Sequence, residues 1–345
     1  MKPEVAAVAP TIRKSGLTYY SKKLYNSHVR VIPSESFSKV LKSILIETAG
    51  IIHVQMEYRV FGNLTPLYVI ILAILLKIKR KKTVFTFHGI ITPTSPNPLV
   101  YYVFFLPIKV VSRLSEAIIV HSYLMESTLA KYYHASSIMI PHGTDEADVG
   151  NQDGGFLLFF GFLRPSKGID ILISAFNIIK TKYNIKVVIA GTIARKNEAR
   201  EVSKWKLTSG ITLMDKFISQ DEIKILLQHA FAVILPYTDN YVEVSGVVHD
   251  VARYGVPIIC SDIPRFSELT NLVNCIKVKP DDIDQLVAAI ETLINDRKLY
   301  QRLSLNIRNL PISWEEARIL HQELYRRIAA SEGTSVSNNQ LQGMK

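Results

Sequence analysis

Two cations three residues apart stand where a strand pattern gives way to a helix pattern. In FFGFLRPSKGIDILISAF, starting at Phe159, the apolar strand ends at Gly161, Arg164 and Lys167 occupy the loop, and a helix begins near Gly168. Positive side chains beside the free N–H groups of a helix start suit a diphosphate, because side-chain charge and helix dipole favour an anion at the same place. Each charge-assisted hydrogen bond contributes about 1.5–3 kcal/mol, so two such cations hold a nucleotide at useful affinity.

A second constellation is ILPYTDNYVEVSGVVHDVARYGVPIICSD, from Ile234. Ser245 and Gly246 precede a helix, where a phosphate or ribose can come close to the backbone. Glu243 and Asp250, seven apart, straddle that helix start, and a carboxylate is the natural acceptor for two ribose hydroxyls. Gly255 and Pro257 read as the end of the helix and the entry to the next strand. In the first half, His88 and Gly89 follow the strand TVFTF, which sets an imidazole at a strand's C-terminal end. Gly16 reads as part of the loop after the first strand and leaves room for a phosphate or sugar. Glu57 and Tyr58 end the third strand at the same edge, whereas His121 and His142 read as structural histidines.

The elements that must position these residues alternate. VAAVAP, VRVIP, IIHVQMEY, TVFTFH, AIIVHS and SIMIPHG read as short strands separated by helical stretches. The polar, acidic, glycine-rich run TDEADVGNQDGG interrupts them and reads as a linker. The alternation resumes with FLLFFGFL, IKVVIAGT, ITLMDKF, FAVILPY, VPIICSD and CIKVKP, with a helix expected over 198–208. Short apolar strands between helices mean parallel sheets covered on both faces. Two such runs imply two doubly wound α/β domains facing across a cleft, with ligands outside the C-terminal ends of the strands. The expected division is 1–145, a linker at 146–155, a second domain at 156–310, a closing helix at 311–331 and a disordered tail at 332–345.

At 345 residues and 48% hydrophobic content, the chain has material for two cores. Its formal charge of +11 is uneven. The apolar run LYVIILAILL leads into Lys77, Lys79, Arg80, Lys81 and Lys82, and LVYYVFFLPI leads into Lys109 and Arg113. Apolar runs with basic ends suit peripheral contact with an anionic membrane, and each is well short of the ~20 residues that span one. The first reads as a buried helix with a basic end. The second, with Pro107 inside it, reads as an interfacial segment more than a regular core helix. The basic residues carry no nucleic-acid-binding spacing, so nucleic acid is not an expected partner. Cys260 and Cys275 lack metal or disulfide-framework spacing. MKPEVAAVAP is too short and too soon broken by Pro10 to be a signal peptide, so a cytoplasmic protein is expected.

These segments together resemble glycosyltransferase family 4, the retaining GT-B enzymes of group 1. The family's glycine-ended strand followed by Arg and Lys-Gly is matched by Gly161, Arg164, Lys167 and Gly168. Its carboxylate segment ending in Gly-x-Pro is matched from Glu243 to Ile259, with Glu268 beyond. IIHVQMEYRVFG, TFHGI, SEAIIVHS and IPHGTDE look like its first-domain segments, and SWEEA like the start of the helix that crosses back to that domain. The resemblance implies an NDP-hexose donor of GDP-mannose or UDP-glucose type, a lipid-linked or polysaccharide acceptor at the cytoplasmic membrane face, retention of configuration, and neither a cofactor nor an obligatory metal. It implies that Arg164 and Lys167 bind the diphosphate and that Gly246 and Val247 offer backbone donors. Asp250 would take the ribose, Glu243 approach the sugar, and Gly191 with Lys216, Phe217 and Ile218 face the base. His88 would lie near the sugar and acceptor. One departure stands out: the family's two glutamates are eight apart, and here Val242 occupies the first position if Asp250 keeps the second. That change motivates a second reading, a catalytically silent GT-B binding or assembly subunit. An NDP-sugar epimerase is a third, and no GxGxxG follows the first strand as a dehydrogenase would require.

Overall fold

The computed structural model describes residues 4–12, 15–25, 29–58, 60–93, 98–145, 155–193, 205, 209–310 and 312–331. They form two compact units. The first holds the described residues of 1–143, the short segment Tyr241–Val244 and the chain from Ile312 onward. The second holds Thr144–Asn240 and the chain from Ser245 to 310. The expected linker (save Gly155), the helix over 198–208 (save Trp205) and the tail at 332–345 lie outside the described residues.

The first unit runs β1 (Val5–Ala9), α1 (Gly16–Leu24), β2 (Arg30–Pro33), α2 (Phe37–Ile46), β3 (Ile51–Met56), α3 (Thr65–Ile78) and β4 (Lys82–Phe87). It continues with β5 (Gly89–Ile90), α4 (Pro98–Leu114), β6 (Ala117–Val120), α5 (Tyr123–Thr128) and β7 (Ile138–Met139). Its main sheet is parallel throughout, in the order β2-β1-β3-β4-β6-β7. Strands β1, β3 and β6 are buried along their whole length; β1 and β6 are unbroken apolar runs, whereas β3 carries the buried polar residues His53 and Gln55.

After β8 (Gly143–Thr144) come β9 (Phe156–Phe160), α6 (Ile169–Ile179), β10 (Lys186–Gly191), β11 (Ile211–Asp215), α7 (Gln220–His229) and β12 (Ala230–Leu235). Strand β13 (Val242–Glu243) belongs to the first unit. The second unit resumes with α8 (Gly246–Ala252), β14 (Ile258–Ser261), β15 (Ile276–Val278), α9 (Ile283–Asn295) and α10 (Arg297–Ile307). Its sheet is parallel in the order β11-β10-β9-β12-β14-β15, the Rossmann order, with the switch between its first and fourth strands, β9 and β12. The chain closes with β16 (Ile312–Ser313) and α11 (Trp314–Ala330) in the first unit. Ser313 and Glu316 cap α11 reciprocally, and Leu324, Tyr325 and Ile328 pack with Val5, Ile51, Val84 and Ile119.

Gly16 and α3 differ from expectation, and Pro107 falls inside a helix. Gly16 is the first residue of α1 rather than a loop residue, because the Ser15 hydroxyl accepts from the Thr18 N–H and starts the helix there. The run from Leu99 to Ile108 is part of a continuous helix, α4, that passes through Pro107. The carbonyl that Pro107 leaves without a donor is that of Val103, on the exposed face where water can reach it. Helix α3 is only half buried. Val69, Leu72, Ala73 and Leu76 face the core, while Leu67, Ile71, Ile74 and Ile78 form an exposed stripe.

Candidate functional site

In the second unit the loops after β9 and β10 lie against each other. The Gly161 N–H donates to Ala190 O at 3.0 Å and the Leu163 N–H to Thr192 O at 2.9 Å. Gly161 and Gly191 both have positive φ, +132° and +156°, and a Cβ on Gly191 would run into the Gly161 carbonyl oxygen. Only glycine permits this approach. Gly168, at φ +62°, precedes α6 in the left-handed region, and there a Cβ would run into the Pro236 carbonyl oxygen. The loop after β9 is thereby held against the loop after β12, at the sheet's switch point.

Arg164 and Lys167 emerge from this loop. Lys167 is only 6% exposed, and its ammonium stands 3.5 Å above the centre of the Tyr237 ring. Burial holds its pKa well below the usual lysine range, and the positive charges of Arg265 and Arg164 push the same way against a smaller opposing effect of Asp239. Arg164 lies 5.8 Å over Phe162, and its Nε has no hydrogen-bond partner among the described residues. Arg265, also over Tyr237, pairs with Asp239 through Nη2–Oδ1 at 2.6 Å, both groups buried. Three basic side chains and one carboxylate thus gather at the C-terminal edge of the sheet, in the loops after β9, β12 and β14. Sequence reasoning missed Arg265 and Asp239, although each follows a strand, β14 and β12, in the loops where a ligand is expected.

Ser245 precedes α8 with its side chain making no capping bond, Gly246 is exposed with open space about its Cα, and Val247 is half-buried. Asp250 lies within α8, and Glu243 precedes it, on the other side of the helix start. Burial raises its carboxyl to about 6, against the lowering effects of Arg253 and His249. Arg253 itself pairs with Asp145 at 3.3 Å, and His249 Nε2 lies 3.3 Å from the Glu268 carboxylate. Lys216 pairs with Glu222 and its N–H donates to Gly191 O; Phe217 is exposed, and Ile218 turns its side chain into the core.

Glu243 belongs to the other unit. Strand β13 pairs antiparallel with β5, placing Glu243 opposite Gly89 and Val242 opposite Ile90. A Cβ on Gly89 would lie 3.2 Å from Glu243 Cβ and 3.4 Å from the Tyr58 ring, so the glycine allows this tight fit. His88, directly before, is fixed at both ends: its N–H donates to Met56 O at 3.1 Å and Nε2 lies 2.6 Å from Gln55 Oε1. Burial holds the imidazole pKa well below the usual range, with neighbouring His121, His53 and His321 adding to the effect. The Tyr20 ring meets His88, His121 and His142 at 4.8–5.3 Å between centroids. His121 and His142 use Nδ1 on Ile140 O and Gly143 O, as structural histidines do. Gly16, at the start of α1, has open space where a Cβ would point. Among the described residues, no three His, Cys, Asp or Glu side chains gather as metal ligands do.

Residues 144–310 match the family described as glycosyl transferases group 1. O-antigen chain mannosyltransferase RfbU of Salmonella typhimurium is 26% identical over 249 residues, covering 66% of this chain and 69% of that protein. O-antigen chain mannosyltransferase C of Escherichia coli is 24% identical over 201 residues, covering 54% of this chain and about half, 53%, of its own length. Among solved structures, a sucrose-phosphate synthase from Thermosynechococcus elongatus superposes with a TM-score of 0.76 at 16% identity, over 95% of this chain and 100% of that one. Anabaena Alr3699/HepE in complex with UDP-glucose superposes with a TM-score of 0.73 at 14% identity, over the same shares. The fold, two Rossmann-like parallel-sheet domains, is of the GT-B type.

Proposed function

We propose that this chain, a glycosyltransferase by its group 1 domain and its GT-B fold, moves a hexose from a nucleotide diphosphate sugar to a glycan or polyprenyl-linked acceptor with retention of configuration. The observation that carries the donor class is the cluster of Arg164, Lys167 and Arg265 after β9 and β14. A diphosphate there would restore the charge that burial suppresses on Lys167 and give Arg164 Nε an acceptor. Two relatives named as O-antigen mannosyltransferases favour mannose as the sugar, and the HepE complex favours UDP-glucose as the alternative.

Each role is assigned within the unit that carries the residue. In the second, Arg164 and Lys167 bind the diphosphate, Gly246 and Val247 offer backbone donors, and Asp250 accepts from the ribose. Gly191 and the backbone of Lys216, Phe217 and Ile218 border the base. In the first, His88 accepts from a hydroxyl and Glu243 approaches the sugar. In the transfer, the acceptor oxygen bonds to the anomeric carbon as that carbon's bond to the β-phosphate oxygen breaks. The acceptor proton passes to the departing phosphate on the same face, and the cations stabilise the charge that develops on it. No step needs a metal, so activity should survive chelation.

Helix α3, with its exposed stripe, packs beside α4, which shows Leu99, Tyr102, Val103 and Leu106 to solvent. Neither helix carries an acidic residue, and both end in basic ones. No helix among the described residues is long and apolar enough to cross a membrane. This face suits peripheral contact with an anionic bilayer, where a lipid-linked acceptor would be met.

A thermal-shift screen against UDP, GDP, ADP and their sugars tests the reading. A nucleotide at ~100 times its dissociation constant stabilises the fold by about 2.7 kcal/mol, and a shift with one base family names the donor. The absence of any shift would transfer support to a silent GT-B assembly subunit, for which the spacing of Glu243 and Asp250 speaks.

A further inference from the structure

The second ring nitrogen of His88 is decided away from any substrate. On β3, Gln55 stands two residues from His53, on the same face of the strand, and all its polar atoms are buried. Its Oε1 lies 2.6 Å from His88 Nε2, and its Nε2 donates to the Tyr25 hydroxyl. The Tyr25 oxygen lies 3.0 Å from His53 Nδ1, where the Tyr325 hydroxyl also arrives, at 2.6 Å. On the ring's other side, His53 Nε2 lies 2.7 Å from Thr86 Oγ1. A chain of polar groups therefore runs from His88 through the sheet to Tyr325 on α11.

An amide oxygen has no proton to give, so the nitrogen facing it must carry one. We propose that Gln55 is a positioning residue that holds His88 as the neutral tautomer protonated on Nε2, leaving the Nδ1 lone pair to accept a hydrogen bond from a substrate hydroxyl. Nδ1 has no partner among the described residues, and His88 as a whole is half-buried, so the lone pair is within reach of a ligand. The burial that depresses the His88 pKa keeps the ring uncharged and its lone pair available. Tyr25 and His53 act one step further out, since they hold the amide with its nitrogen turned away from His88. This inference rests on the acceptor role given to His88 above, but the tautomer can be read without any transfer assay.

Nitrogen NMR of histidine-labelled protein is the test, since protonated and bare ring nitrogens resonate far apart. The wild type is expected to show His88 with a proton on Nε2 and a bare Nδ1. Gln55→Glu, which offers only acceptor oxygens, should keep a proton on Nε2; Gln55→Met should mix the tautomers. In transfer assays Gln55→Met should lower kcat roughly 10–100-fold, by analogy with the loss seen when the partner that orients a metal-bound imidazole is removed, with donor KM within about 2-fold. A wild-type His88 protonated on Nδ1, or a Gln55→Met protein with unchanged tautomer, overturns the proposal. A tautomer that shifts in Gln55→Met while kcat holds overturns its link to transfer. If His88→Ala transfers normally, it is the acceptor role of His88 that fails, and the NMR result on Gln55 stands apart.

Discussion

Arg164 and Lys167 were legible from a strand end, two cations and a helix start, because all of these signals are neighbours in the sequence. Arg265 and Asp239 were not, since the pair closes across two loops 26 residues apart and neither segment announces the other. If the cluster holds the departing diphosphate, Arg164→Ala and Lys167→Ala should each lower kcat by ~100-fold, as loss of a transition-state charge partner does. Steady-state kinetics with the donor found by the screen decides this; unchanged turnover in both variants would sink the assignment. Asp250 allows a second check. Its carboxyl pKa is raised from 3.8 to about 6, so the folded state binds the extra proton in that window and stability falls as pH rises through it. Above pH 6 the half-buried carboxylate is a standing cost. Asp250→Asn should therefore raise the melting midpoint at pH 8 by roughly 2–4 °C and change it little near pH 3.5. The same variant should shrink the shift produced by nucleotide if the carboxylate takes the ribose.

At the level of elements, most strands and helices followed from periodicity, since strands buried on both faces are predominantly apolar. The misreading of α3 has a definite cause. Sequence shows that α3 and α4 are apolar all round, but not which half of each surface the sheet covers. Five apolar positions of α3 and its approach, Leu64, Leu67, Ile71, Ile74 and Ile78, recur at alternating three- and four-residue steps and stay exposed. If this face meets a bilayer, the wild type should sediment with anionic vesicles, less so as salt rises. Ile74→Asp combined with Val103→Asp should abolish that sedimentation and leave turnover on a water-soluble acceptor intact. Equal sedimentation of variant and wild type, or indifference to lipid charge, would remove the membrane from the account.

Across the whole molecule, buried histidines set the response to acid. Burial holds His53 well below the ordinary 6.5 and brings His321 down to about 4. Below pH 6.5 the unfolded chain takes up protons that these native rings refuse, so stability declines as pH falls from 6.5 toward 4. His321 contributes up to about 1.4 kcal/mol per pH unit in that window, His53 acts in the same direction, and Asp250 opposes them only between 3.8 and about 6. Melting curves from pH 7.5 to 5 should show the decline, and His321→Leu should flatten it; parallel curves for variant and wild type would refute the cause. Sequence alone determined two runs of β–α alternation and the cations after β9, because each depends on neighbours along the chain. Tertiary structure alone decided that Glu243 joins the first unit opposite Gly89, that Arg265 and Asp239 complete the cation cluster, and that Gln55 faces His88. Those contacts join residues that only folding brings together, and a linear pattern carries no signal for a partner so far along the chain.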